Sequence, residues 1–320
     1  MKNKDLLANR KARFDSICAN VKCSRPTELS AIVDIDEELF QSLKIASKIY
    51  LSKVLKSKNI CLSDEEIIKK FSSENNKIAN ITPSGMILPK RYSTLEYNLL
   101  MKTFYRTVSQ TLMCDEKIRK WHIPMHIRVK HPKTTEQNLD RPRHASENIH
   151  MDSWSGYSSF GITCIIPLFG DVINNSLEFW KLKGENFEEN WMFSPMETGD
   201  FDWKKHSQII ENYEKVTFER KERQMFLFDA STVHATYRNQ DGCGTRFSID
   251  NILIPDADSH VKKYEKISKE REIETRDHLN LLKIGEEEIF NFPDTDQDIR
   301  DSKKGSTDPT NFRIQKINER

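Results

Sequence analysis

The sequence lacks any apolar run long enough to cross a bilayer, and the segment Met1 to Leu7 is polar after its first residue. A spanning helix needs about 20 consecutive apolar residues, and a secretory signal needs an apolar core close to the N-terminus. We therefore expect neither a membrane span nor a membrane partner. The same absence predicts a cytoplasmic location.

A strong net charge is also missing, because 50 Lys and Arg residues face 49 Asp and Glu residues and leave a net charge of +1. No global electric field would draw the chain to a polyanion. We expect no nucleic-acid partner, since such a partner would need a local basic patch. The composition instead favours a small-molecule substrate.

The six cysteines include no Cys-x-x-Cys pair. Cys18 and Cys23 could begin a zinc site, but a second pair is missing, so we discount that site. Cys164 lies within an apolar run that is typical of a strand. The cysteines are therefore predicted to be reduced, buried thiols.

Helical patterns dominate the first third of the 320-residue chain. Residues 37–51 have apolar side chains at helical spacing, and residues 63–66 and 93–96 have the capping-box pattern that begins helices. We expect residues 1–120 to form a helical N-terminal region that packs on a core. A single catalytic domain with additions at both ends fits this length.

Short extended segments separated by turn residues follow, and they favour an antiparallel barrel or sandwich over residues 121–256. The predicted strands are 125–129, 160–168, 176–182, 216–219, 224–229, 233–238 and 245–254. Beyond the core, residues 257–292 are predicted to be a charged helical extension. Residues 293–320 are polar and are predicted to be a flexible tail.

The segment around residue 150 carries the clearest chemical signal. His150 and Asp152 are two residues apart, and on an extended chain such residues point to the same face. His234, at the end of an apolar run, could supply a third ligand to the same metal ion. Two histidines and one aspartate form the facial triad of non-haem iron.

Arg246 and Ser248 alternate on a predicted strand and therefore share a face as well. A guanidinium beside a hydroxyl is a suitable receptor for a carboxylate, because its hydrogen bonds are charge-assisted and partly bidentate. The sequence thus predicts an anion site downstream of the metal ligands.

The order His-x-Asp, distant His and Arg-x-Ser resembles the signature of the Fe(II)/2-oxoglutarate-dependent dioxygenases over residues 146–254. In motif setting it is similar to the phytanoyl-CoA hydroxylase-like and antibiotic-pathway hydroxylases. The resemblance implies an α+β fold with a double-stranded β-helix, or jelly-roll, core. It also implies that His150, Asp152 and His234 are the catalytic iron ligands, and that Arg246 and Ser248 hold the far carboxylate of 2-oxoglutarate.

With O2 as the other cosubstrate, the implied reaction forms succinate from 2-oxoglutarate and oxidises a C–H bond of a small metabolite, amino-acid-like or sugar-like. Related halogenases have Gly or Ala where this chain has Asp152, so hydroxylation is favoured. Trp154 and Tyr157 are candidate substrate contacts, and Thr163 is a candidate 2-oxoglutarate contact. Arg143 lies in a cationic loop that could recognise an anionic substrate.

Each of these residues also has a structural interpretation. His150 could be a strand histidine bonded to a backbone carbonyl, Asp152 could end a strand in an Asx-turn, and Trp154 could be core packing. Two other functions stay open: a cupin-like metalloenzyme that has no need of Arg246 and Ser248, and a non-catalytic jelly-roll module that binds carbohydrate.

Overall fold

The computed structural model describes residues 3–72, 85–87, 89–113, 118–122, 125–132, 148–155, 161–188, 191, 203–239, 241–255, 281–282, 288–291 and 313–316. The helices are α1 Asn3–Cys18, α2 Glu37–Val54, α3 Asp64–Ser72, α4 Thr94–Leu112 and α5 Trp203–Ile210. The strands are β1 Cys23–Ser24, β2 Ser30–Asp34, β3 Met86–Ile87, β4 Ile118–His122, β5 His126–Lys130, β6 Ile162–Gly170, β7 Asn175–Leu182, β8 Tyr213–Val216, β9 Gln224–Asp229, β10 Val233–Arg238, β11 Arg246–Pro255, β12 Leu281–Leu282, β13 Glu288–Asn291 and β14 Arg313–Lys316.

Two antiparallel sheets form the core. The main sheet has β5, β11, β6, β9 and β2 side by side, and the smaller sheet has the order β10, β7, β8. His150 extends the smaller sheet through a bridge to His234 of β10. From β5 onward the chain passes repeatedly between the two sheets, and this path is a jelly roll. The predicted α+β fold with a double-stranded β-helix core is thus confirmed.

The two faces of the main sheet have different environments because successive strand residues point to opposite sides. On the outer face, Cys164, Leu227 and Ile249 belong to one apolar cluster with Tyr50 of α2 and Phe104 of α4. On the inner face, apolar residues of both sheets meet: Ile32, Ile165, Leu177, Phe179, Phe226 and Phe228. The N-terminal helices therefore buttress one side of the sheet, and the other side lines the interior of the barrel.

Two capping-box predictions have different outcomes. At α3, the Glu66 backbone N–H donates to the Ser63 hydroxyl (3.2 Å) and the Ser63 N–H donates to the Glu66 carboxylate (2.8 Å), so the box forms. At α4, the Ser93 hydroxyl is instead bonded to the backbone N–H and C=O of Lys90, both at 3.0 Å. A preceding turn of 3-10 helix occupies that hydroxyl, so the second box prediction is wrong.

The N-terminal region is not purely helical, which corrects our expectation. The segment β2 joins the main sheet beside β9, with Ser30 opposite Phe228. The helix α1 was not predicted, and its Arg10 and Arg13 pair with Asp229 at the end of β9. The predicted strand 216–219 was also displaced, because the observed β8 begins at Tyr213, which packs in a cluster with Trp180.

The C-terminal predictions fall largely outside the described residues, which omit 256–280 and 292–312. Where the structure does describe the expected helical extension, it has strands, β12 and β13, instead of helix. In the expected flexible tail, β14 pairs with β13. Phe290 of β13 packs on Tyr97, with ring centroids 4.9 Å apart. The segment β13 therefore pairs with β14 and packs on α4.

All five cysteines within the described ranges are free thiols. Cys18 and Cys164 are buried, as predicted, but Cys61 is exposed; Cys114 lies outside the described residues. None of the described helices is long and apolar enough to span a membrane.

Candidate metal centre

The two histidines are brought together by the backbone. His150 and His234 face each other as an antiparallel pair, and each backbone N–H donates to the other residue's carbonyl at 2.9 Å. Their rings lie 4.3 Å apart between centroids. The smaller sheet therefore sets the spacing of the two imidazoles, although 84 residues separate them in the sequence (234 minus 150).

Each imidazole is oriented by a carbonyl two residues before it in the chain. His150 Nδ1 lies 2.7 Å from the carbonyl oxygen of Asn148, and His234 Nδ1 lies 3.0 Å from that of Thr232. A carbonyl can only accept, so Nδ1 of each ring carries the hydrogen, and Nε2 keeps its lone pair. This is the arrangement that holds metal-binding histidines in proteins.

Asp152 completes the group, but not in the way that the sequence suggested. It begins a short 3-10 helix, Asp152–Ser155, instead of continuing an extended strand. Its Oδ1 nevertheless lies 3.6 Å from Nε2 of His150 and 3.6 Å from Nε2 of His234. The predicted extended backbone from His150 to Asp152 is therefore wrong. The predicted meeting of the three side chains is nevertheless observed.

The three donor atoms fit one metal ion. They all lie within 4.8 Å of one another, and adjacent donors of an octahedral ion with bonds of about 2.1 Å are about 3 Å apart. Two imidazole nitrogens and one carboxylate oxygen on one side of an ion suit non-haem Fe(II) and leave positions open on the other side. A small inward movement of the donors would complete such a site.

The charges of the site favour metal binding at neutral pH. Burial, and secondly the nearby His150, lower the pKa of His234 to about 4, so this imidazole stays neutral. Burial alone would raise the pKa of Asp152, but His234, His150 and a hydrogen bond from Thr163 together lower it. Metal ions bind neutral imidazole and ionised carboxylate, so little proton competition is expected near pH 7.

Arg246 is sealed inside the barrel, with 2% of its surface exposed. From β11 of the main sheet it reaches the smaller sheet, where its Nη1 donates to the Asn175 carbonyl at 3.2 Å. Its Nε has no acceptor among the described residues. Burial lowers the pKa of Arg246 to about 10, while Asp250 opposes this shift, so the guanidinium remains charged. Such a cation has donors available for a buried anion.

The two predicted hydroxyl contacts already serve protein carboxylates. Ser248 donates to Asp250 Oδ1 at 3.0 Å, and Thr163 donates to Asp152 Oδ2. A hydroxyl has a single hydrogen, and a carboxylate can only accept. Thr163 therefore orients Asp152, a candidate metal ligand, and Ser248 orients Asp250, in the arrangement that the structure describes.

Trp154 is buried in an apolar cluster that includes Met151 and Val233. Its indole N–H donates to the Trp191 carbonyl at 2.6 Å, and its ring stacks on His206 of α5 at 4.1 Å. These contacts hold the Trp154 ring in place beside Asp152, and its predicted role as a substrate contact stays a prediction. The predicted substrate contacts Tyr157 and Arg143 lie outside the described residues.

An ion pair inside the barrel was not predicted: Arg128 Nε lies 2.7 Å from Asp250 Oδ2. Arg128 belongs to a segment that was correctly predicted as a strand, β5. The alternation of charged residues on that strand predicts that Arg128 and Lys130 share one face. The carboxylate that pairs with Arg128 is known only from the register of β5 with β11.

The fold and the donor set define a jelly-roll protein with a two-histidine, one-carboxylate site. No protein-family model matches the chain, and no curated protein matches it significantly. Among solved structures, an N-substituted L-amino acid dioxygenase from Burkholderia ambifaria is 14% identical, with 76% of this chain and 87% of that chain covered and a TM-score of 0.36. The non-heme alpha ketoglutarate dependent carbocyclase SnoK from nogalamycin biosynthesis is 13% identical, with 71% and 79% covered and a TM-score of 0.40.

A third similar structure is EctD from S. alaskensis with 2-oxoglutarate and 5-hydroxyectoine, which is 12% identical, with 77% of this chain and 75% of that chain covered and a TM-score of 0.35. The fold assignment for this chain rests on its own strand order and register.

Proposed function

We propose that this chain is an Fe(II)/2-oxoglutarate-dependent oxygenase that hydroxylates a small molecule. The observation that carries the proposal is the convergence of His150, Asp152 and His234 on one point, with both Nε2 atoms presented to it. A buried cation, Arg246, lies farther along the same barrel interior. A metal site and an anion site in one cavity suit a keto acid that chelates the metal and is anchored at its other end.

The strand register supports this spacing. Asn175, whose carbonyl binds Arg246, is opposite Arg238 of β10, four residues from His234 (238 minus 234). Four strand residues span about 13 Å. The side chain of Arg246 and the bonds from His234 to a metal ion would take up part of these roughly 13 Å. The distance left between the metal ion and the guanidinium suits a short dicarboxylate such as 2-oxoglutarate.

Each residue then has a stated role. His150, Asp152 and His234 would hold Fe(II), Arg246 would hold the far carboxylate of 2-oxoglutarate, and Thr163 would fix the orientation of Asp152. When bound, Fe(II) supplies O2 activation, coupled to the conversion of 2-oxoglutarate to succinate and CO2 and to oxidation of a substrate C–H bond. The apolar interior around Phe228, whose ring centroid lies 4.4 Å from that of His234, excludes water from this chemistry.

Hydroxylation is the outcome we favour, because the carboxylate of Asp152 occupies the position that a halide would need. Ser248 could join the cosubstrate site only if its hydroxyl turned away from Asp250. Tyr157 and Arg143 remain proposed substrate contacts, and we propose a small, anionic, amino-acid-like or sugar-like metabolite as substrate.

The metal and cosubstrate sites can be tested together by anaerobic titration of the full chain with Fe(II) and 2-oxoglutarate. We expect the weak visible charge-transfer absorption of an iron-bound keto acid, and we expect His150→Ala to abolish it. Arg223→Gln is the control, because Arg223 pairs with Glu37 at 3.0 Å and is 43% exposed. Absence of the absorption in the wild type would favour a non-catalytic binding module.

The role of Arg246 separates this enzyme from a cupin-like metalloenzyme. Loss of hydrogen bonds to a charged group costs about 1.5–3 kcal/mol each, so Arg246→Gln should raise the Kd of 2-oxoglutarate by at least about tenfold. Fe(II) affinity should change little. Succinate release that is insensitive to Arg246→Gln would contradict the proposed function.

A further inference from the structure

Arg128 is a second cation on the inner face of the barrel. It lies on β5 directly opposite Ser248 of β11, while Lys130 lies opposite Arg246. Directly opposite residues of antiparallel strands project to the same face, and alternate residues of one strand do too. Arg128 therefore shares the lumen with Ser248, Asp250 and Arg246.

Asp250 forms an ion pair with one edge of the Arg128 guanidinium and leaves the other edge available. Asp250 Oδ2 lies 2.7 Å from Arg128 Nε, and Asp250 Oδ1 accepts the hydrogen bond from Ser248. Within the described ranges no acceptor bonds to Nη1 or Nη2 of Arg128, and 16% of its side chain remains exposed. The free edge is a rigid fork of parallel N–H donors, which is the geometry that binds a carboxylate.

The position of Arg128 is between the two proposed subsites of the enzyme. Asp250 is two residues from Ile252, which is opposite Thr163, the residue that binds Asp152. Arg246 lies farther along β11, away from the metal ligands.

We propose that Arg128 binds the carboxylate of the substrate, and that Asp250 is a positioning residue that holds its guanidinium. The inference rests on the proposed function, in which one end of 2-oxoglutarate chelates the metal and the other end binds Arg246. Neither end then needs Arg128. The substrate class is thus a small carboxylic acid, amino acids included.

Charge favours a carboxylate over a phosphate. Asp250 offsets the charge of Arg128, so this pair has no net charge by itself; Arg246, which is assigned to 2-oxoglutarate, and Lys130 opposite it are further cations on the same face. A monoanion added to the Arg128–Asp250 pair brings one negative charge into the barrel, whereas a dianionic phosphate brings two, and buried charge without compensation is costly.

Ligand-observed NMR on the full chain with diamagnetic Zn(II) and 2-oxoglutarate tests the inference without turnover. The probes are hexanoate, norleucine, hexanamide and hexyl phosphate. We expect the two carboxylates to bind at least about tenfold more tightly than the amide, because charge-assisted hydrogen bonds are the stronger ones. Equal binding of hexanoate and hexanamide would overturn the inference, and so would preferential binding of hexyl phosphate.

Variants test whether Arg128 causes the preference for carboxylate over amide probes. Arg128→Gln combined with Asp250→Asn removes both charges together and should remove the preference for carboxylate over amide, while the Kd of 2-oxoglutarate changes by less than about threefold, below 1 kcal/mol. Arg246→Gln should do the reverse, and Arg223→Gln should change neither affinity. If the double variant weakens 2-oxoglutarate and spares the carboxylate probes, Arg128 belongs to the cosubstrate site and the inference fails.

Two failures remain distinguishable. If the wild-type chain gives no charge-transfer absorption with Fe(II) and 2-oxoglutarate, the proposed function fails whatever the probes show. If that absorption forms but carboxylate probes bind no better in the wild type than in the double variant, only the role of Arg128 fails.

Discussion

Asp229 and Asp250 are both buried aspartates paired with arginine, but their surroundings differ. The carboxylate of Asp229 is fully buried and accepts hydrogen bonds from Arg10, from Arg13 at 3.0 Å, and from the hydroxyl and backbone N–H of Ser231 at 2.7 and 2.9 Å. The carboxylate of Asp250 is 12% exposed and contacts only Arg128 and Ser248 among the described residues. The carboxylate of Asp229 is thus saturated with hydrogen bonds, whereas the Asp250–Arg128 pair is open to solvent on one side.

This difference separates a structural ion pair from the proposed recognition site. Burying a charge is costly unless partners satisfy its hydrogen-bonding capacity. The carboxylate of Asp229 receives these partners from both arginines and from Ser231, and the result ties α1 to the end of β9, five residues before His234 (234 minus 229). Around Arg128 the donors are incompletely used, so a ligand can supply what the protein does not.

Asp229→Asn should have the largest effect on stability. The substitution removes the carboxylate that pairs with the buried guanidinium groups of Arg10 and Arg13, and breaking a buried pair in this way costs about 3–5 kcal/mol. Urea unfolding at pH 7 measures the change in the free energy of unfolding. A loss below about 1 kcal/mol would show that Asp229 is no more structural than an exposed carboxylate.

The same ion pair predicts a dependence on acid. Burial by itself would raise the pKa of Asp229, but Arg10 and Arg13 outweigh it and lower that pKa. A carboxyl with a lowered folded-state pKa contributes stability that is present above the unfolded value of about 3.9 and is lost as pH falls through the folded value. The stability difference between wild type and Asp229→Asn should therefore be constant from pH 7 to 5 and shrink below pH 4. Urea unfolding across that range measures it, and a difference that grows on acidification would contradict the assignment.

The same contrast explains what the sequence could predict. The bounds of β9 and β10 agree with the predicted segments 224–229 and 233–238, because both are short segments with local turn signals beside them. The helix α1 escaped prediction since part of its buried face is arginine, and the partner that makes this burial possible, Asp229, is 219 residues from Arg10. Local pattern cannot reveal a compensating charge that distant.

The metal site shows the same limit on a smaller scale. The order of His150, Asp152 and His234 was sufficient to predict that they meet, and the structure brings them together. The turn at Asp152 was not predictable from spacing, because a bond from the Ser153 N–H to the Ala230 carbonyl at 3.0 Å holds it. The hydrogen bond from the Thr163 hydroxyl to the Asp152 carboxylate was also not predictable from spacing, because it depends on the register of distant strands.

Asp250→Asn should cost less than Asp229→Asn. Arg128 loses its counter-charge, but its guanidinium is partly exposed and can be solvated on its open side. We expect a loss of about 1–2 kcal/mol, close to the value for one hydrogen bond to a charged group. Urea unfolding beside Asp229→Asn gives the comparison directly. Equal losses for the two variants would remove the distinction between the saturated and the open pair.

Lys181→Ala should have the smallest effect and serves as the reference for both. Lys181 Nζ lies 2.9 Å from the Glu214 carboxylate across β7 and β8, a distance similar to those in the buried pairs, but the two side chains are 54% and 51% exposed. Water and salt screen such a pair, which contributes roughly 0–1 kcal/mol. We expect a change in unfolding free energy below about 0.5 kcal/mol, and smaller still at high salt. A loss as large as that of Asp250→Asn would mean that distance, and not exposure, determines the strength of ion pairs in this protein.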